Sequence, residues 1–258
     1  MAETRCLESE FMAVWGKIFG GAAGLLLGGP LGALVGGIAG HVVDKYREGP
    51  DSEGEGVADS GGLKQVAFTI AVIALGAKLA KADGVVTRDE VDAFKRVFRI
   101  PPEEQKNFAK VFDRARQSTA GYEGYAQQVE RMFRDTPQVM EDLLHGLFSI
   151  AMADGVLHPD EDAYLKNIAR IFGFNDDDYN RFRGYHVGED VRDPYQILGV
   201  PKDISDADLK KAYRALIRDN HPDKVMAQGL PQEFVDVANE KLAIINSAYD
   251  ELCKRRNI

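Results

Sequence analysis

His221, Pro222 and Asp223 follow directly on a segment whose basic side chains Lys210, Lys211, Arg214 and Arg218 recur at helical spacing. At 100° per residue those four charges share a stripe about a quarter-turn wide. On residue types alone, Pro222 stops the helix and Asp223 caps the next segment. The stripe is then either a solvated face or a docking face for a partner. Nothing around it supplies a nucleophile with a base and an orienting acid. His41, His145, His158, His186 and His221 are scattered, with no HExxH and no GxSxG. Cys6 and Cys253 stand at opposite ends with no CxxC spacing, which excludes a cysteine zinc site and fits a reducing compartment. The chemistry on offer is binding.

A second set of polar residues is acidic and repeated. LAKADGVVTRDEVDAFKRVF (Leu79 to Phe98) parallels SIAMADGVLHPDEDAYLKNIA (Ser149 to Ala169). In each copy a helix ends in Ala-Asp-Gly, two apolar residues follow, and a new helix opens on Asp-Glu. Gly84 and Gly155 suit the left-handed conformation that ends a helix. Thr87 with Glu90 forms a capping box, and Pro159 suits a first helical position. The acids are therefore caps and turn residues favoured by the helix dipole, or ligands brought together by the repeat. The EF-hand spacing is absent, so no calcium loop is expected.

The elements that carry these residues are all helical. Leu209, Ala212, Tyr213, Leu216 and Ile217 give residues 205–220 one apolar face. Phe234, Ala238, Leu242, Ile245, Tyr249 and Leu252 keep register along a second long helix, and the two should pack as an antiparallel hairpin. Residues 63–184 show three- and four-residue apolar spacing without alternation. The apolar run from Gln65 to Ala77 is too short for a membrane and reads as a buried helix.

Toward the N-terminus the composition changes. From Ile18 to Gly40 there is no charged residue, and Trp15, Lys17, Tyr46 and Arg47 flank the run as interfacial anchors. A cleavable leader would have a shorter apolar core and a small-residue cleavage site, whereas this run ends in HVVDKYRE. Gly20, Gly24, Gly28, Gly32 and Gly36 belong to a four-residue series that leaves one stripe of the helix without side chains. A second copy can approach such a groove closely, so a homodimer through this helix is expected. Arg5 and Lys17 before the span and Lys45 and Arg47 after it leave its orientation open on charge alone. Residues 48–62, rich in Gly, Ser and acids, form a tether without core-building groups. A net charge of −9 argues against a nucleic-acid partner, which would want a basic face.

The ordered set DPYQILGV, AYRALI, HPDK and INSAYDEL resembles the J domain. That resemblance implies that His221, Pro222 and Asp223 trigger ATP hydrolysis in a DnaK-type heat-shock chaperone. It assigns docking to Lys210, Lys211, Arg214 and Arg218, with Lys224 assisting. The paired Ala-Asp-Gly motif resembles the TerB-like tellurite-resistance domain, which implies a divalent cation among Asp83, Asp89, Glu90, Asp154, Asp160 and Glu161. No CxxCxGxG repeat is present, unlike the general DnaJ type.

The expected order is an N-terminal extension (1–14), a transmembrane anchor (15–43), a flexible linker (44–62), a TerB-like domain (63–184), a short linker (185–192) and a J domain (193–258). This order resembles a family of membrane-anchored DnaJ-like co-chaperones. The resemblance implies a single pass through the bacterial inner membrane with the C-terminal domains in the cytoplasm. It implies an ATPase regulator that needs no cofactor and is no enzyme itself. The extension MAETRCLESEF departs from the family's opening, and Met12 is an alternative start. The competing expectation is a TerB-like metal or stress-response module that uses the J domain only to recruit a chaperone.

Overall fold

The computed structural model describes residues 60–82, 91–92, 94–95, 105–117, 121–187, 193–227 and 232–258, which contain no strand. Helix α1 (Ser60–Leu79) opens within the stretch read as tether and is the centre of the first bundle. From Ala67 to Ala80 it is buried on nearly every face, as a helix apolar all round must be. Around it pack α2 (Gln105–Ala115), α3 (Tyr122–Phe133), α4 (Pro137–Ala151) and α5 (Pro159–Ile171). Tyr164 of α5 is buried and donates from its hydroxyl to the Leu75 carbonyl at 2.9 Å. Its ring lies 4.2 Å from that of Tyr122, whose hydroxyl accepts from Asn167 Nδ2 at 2.7 Å. The Tyr164 side chain thus ties α5 to α1 by its hydroxyl and to α3 by its ring.

The second copy of the repeat folds much as its residue types dictate. Gly155 takes φ +88, closing the turn beyond α4, and Pro159 is in the first turn of α5. The Glu161 carboxylate accepts from the His158 backbone N–H at 3.0 Å, a cap that a Thr-based pattern does not reveal. Thr87, Gly84 and the rest of the first copy's turn lie outside the described residues. Helix α6 (Asp176–His186) begins at Asn175, whose side-chain oxygen accepts from Asp177 and Asp178 N–H.

Four helices follow: α7 (Pro194–Ile197), α8 (Asp206–Asp219), α9 (Pro222–Ala227) and α10 (Gln232–Arg256). Asp206 meets Arg256, and Tyr213 meets both Asn246 and Tyr249, so α8 and α10 run antiparallel. The tyrosine rings stack at 3.8 Å and 6°. Arg256 closes the end of this hairpin. Its guanidinium donates to the carbonyls of Ile204 (2.7 Å) and Lys202 (3.0 Å) and to the Tyr195 hydroxyl (3.0 Å). One side chain therefore holds α7, the connecting turn and α10 together.

Candidate functional site: the turn between α8 and α10

Helix α8 is capped at its start by Ser205, whose Oγ accepts from the Asp208 N–H at 3.1 Å and donates to the Asp208 carboxylate. The carboxylates at that end suit the positive pole of the helix, and Arg218 suits its last turn. Leu209 is fully buried, Tyr213, Leu216 and Ile217 are half-buried against the core, and Ala212 is half-buried. Lys210, Lys211, Arg214 and Arg218 are all exposed on the remaining surface, as their spacing requires. Among the described residues no ion pair holds Lys210, Lys211 or Arg214.

Asn220 ends the helix, its side-chain amide donating to the Leu216 carbonyl at 2.8 Å. His221, not Asp223, then caps the next segment, and Asp223 lies in the first turn of that new helix. The His221 Nδ1 accepts from the Asp223 N–H at 3.2 Å, and Pro222 occupies the first position of α9. Proline's fixed φ is pre-set for that position, so the residue that stops α8 also starts α9. His221 and Asp223 remain exposed, at 49% and 74% of their side chains.

Asp219 organises the charges beside the turn, a role its position in the sequence did not advertise. Its Oδ1 lies 3.2 Å from Arg218 Nε and 3.1 Å from Lys224 Nζ. The hydrogen bond from Arg218, then that from Lys224, holds the Asp219 carboxyl below the usual carboxylate range. A basic ridge with an exposed imidazole at its end is thus built by helix spacing, two caps and one bridging acid.

The acids of the middle domain are placed differently. Asp154 accepts from the Val156 N–H at 2.9 Å and lies 4.0 Å from His158 Nε2. Asp160 is exposed in the first turn of α5, and Glu161 is buried as the cap described above. Asp83, Asp89 and Glu90 lie outside the described residues. Among the described residues no group of three His, Cys, Asp or Glu side chains is placed to hold a metal ion. No helix among them is long and apolar enough to cross a membrane. The glycine-rich segment with Gly20, Gly24, Gly28, Gly32 and Gly36 lies outside them.

An antiparallel helical hairpin with an exposed His-Pro-Asp turn beside a basic helix face defines a J-domain protein. Residues 193–258 match the DnaJ domain, residues 69–184 match tellurite resistance protein TerB, and residues 12–65 match the co-chaperone DjlA transmembrane domain. The chain is 32% identical to co-chaperone protein DjlA of Vibrio parahaemolyticus, over 94% of this chain and 98% of that protein. Identity to the DjlA of Vibrio cholerae is also 32%, over 96% and 100% of the two chains. For that of Coxiella burnetii it is 27%, over 94% and 98%. No solved structure matches. The chain belongs to the DjlA family of membrane-anchored co-chaperones, and it is a regulator rather than an enzyme.

Proposed function

We propose that the chain docks a DnaK-type chaperone on the basic face of α8 and stimulates its ATP hydrolysis through the His221-Pro222-Asp223 turn. The observation that carries this reading is the exposure of His221 and Asp223 at the end of an exposed basic ridge. Lys210, Lys211 and Arg214 supply exposed positive charge for docking, and Lys224 and Arg218 are oriented by Asp219. Electrostatic steering of this kind governs encounter and orientation more than final affinity. The turn acts by favouring one conformation of the partner, so no residue here forms or breaks a bond. The test is a steady-state ATPase assay of a purified DnaK-type chaperone with the detergent-solubilised full chain added. Hydrolysis rises if the reading holds, and an unchanged rate contradicts it.

In this reading the span 15–43 crosses the inner membrane once and places residues 44–258 in the cytoplasm, where the partner and ATP are found. A C-terminal reporter that works only after export should stay silent. An active reporter would reverse the orientation.

A further inference from the structure

The J domain does not hang free on its linker. Lys241 of α10 enters the middle domain, where it is 1% exposed. Its Nζ lies 2.6 Å from Asp142 Oδ1 and 3.2 Å from Glu141 Oε1, both on α4. Asp142 is itself 2% exposed, so both ends of the closer pair are out of water. Further contacts join the domains. Phe234 of α10 meets the Phe68 ring of α1 edge-on, with centroids 4.6 Å apart, and the buried Tyr185 hydroxyl of α6 donates to the Ile197 carbonyl of α7 at 3.0 Å. Three helices of the middle domain therefore each hold part of the J domain.

These contacts differ in what they tolerate. An apolar ring contact survives small sliding or rotation, because dispersion is non-directional. A buried ion pair does not, since any shift leaves desolvated charges unmatched, and setting register is the best-attested use of such pairs. The charge requirement is strict here because Lys241 has no water to turn to, and both its partners come from the other domain.

We propose that the middle domain is the seat of the J domain, and that Asp142 with Lys241 is the key that fixes its orientation. The seated domain holds the His221 turn and the basic face of α8 away from the middle domain. This gives the TerB-like domain a positioning role that needs no metal.

The test uses the full chain with Cys6→Ser and Cys253→Ser, spin-labelled at Ala163→Cys on α5 and Ala207→Cys on α8, both exposed positions. Labelled protein is diluted with unlabelled chain in detergent, and inter-domain distances are read by pulsed electron paramagnetic resonance. The parent should give one narrow distance. The apolar replacement Asp142→Leu with Lys241→Met should keep its helical circular dichroism, since such swaps are often neutral or stabilising. It should nevertheless lose the single distance, broadening or splitting it. Should it melt below the assay temperature, Asp142→Asn with Lys241→Gln, which keeps polar side chains and removes both charges, is read the same way. A broad distribution in the parent would mean that the J domain is not seated. A folded variant with the parent's narrow distance would mean that the pair is not the key.

Discussion

His145 Nδ1 lies 2.8 Å from His186 Nε2, a hydrogen bond that joins α4 to α6 inside the middle domain. The His145 ring stacks on Tyr185 at 4.8 Å, and His186 stacks on Phe148 at 5.1 Å. Among the described residues, His145 Nε2 is buried with no hydrogen-bond partner.

The pair makes stability depend on pH. Burial, and then the neighbouring His186, Lys241 and Arg181, push the His145 pKa well below the ordinary histidine range. Unfolded, the same imidazole takes a proton near its usual pKa of about 6.5. The unfolded state thus binds more protons as pH falls below that value. The stabilisation is present above about pH 6.5 and is lost toward the depressed folded value, at up to about 1.4 kcal/mol per pH unit. His145→Phe should flatten the fall of the thermal midpoint between about pH 7 and pH 5. Parallel curves for the variant and the parent would remove His145 from the account.

Gly76 is a packing requirement of α1. A Cβ there would lie 2.9 Å from Phe94 Cδ2 and 3.3 Å from Ile150 Cδ1. The Phe94 ring is held between Phe108 and Phe112, at 5.1 and 5.6 Å, so it has little room to withdraw. Gly76→Ala gains up to about 1 kcal/mol of helix propensity but should lose more to overpacking, typically about 1–3 kcal/mol. A lowered thermal midpoint is expected. A raised one would show that the Phe94 ring moves freely.

The two parts of the chain were unequally legible before folding. The α8 and α10 faces follow from apolar period, and Gly155 and Pro159 from backbone preference, because these signals are local. Lys241 was not legible. A lysine on an amphipathic helix reads as solvated, and its partner Asp142 is 99 residues away. Arg256 is similar, since its acceptors at Lys202 and Ile204 are backbone carbonyls that no side-chain pattern marks. Pro222 was legible only as a stop for α8. Its second role as the start of α9 depends on the His221 ring reaching the Asp223 N–H.

The glycine stripe makes a prediction about the anchor. Replacing Gly24, Gly28 and Gly32 with Leu fills the groove while keeping the segment apolar, so insertion should continue. In-membrane crosslinking of the chain to a second copy should fall sharply. Equal crosslinking of variant and parent would count against self-association through the stripe.

The central claim is that the His221 turn stimulates a DnaK-type ATPase, and His221→Gln tests it most directly. The position is exposed and α9 is short, so the change should cost no more than a lost helix cap, about 0.5–2 kcal/mol, and folding should survive. Reversing Lys211 and Arg214 to Glu supplies the contrast, weakening docking in a way that lower salt or more co-chaperone partly restores. The measurement is the chaperone's steady-state ATP turnover with saturating His221→Gln chain, alongside the variant's circular dichroism. The account predicts a folded protein and turnover at the unstimulated rate, unrescued by added co-chaperone. A folded variant that stimulates as well as the parent would contradict it.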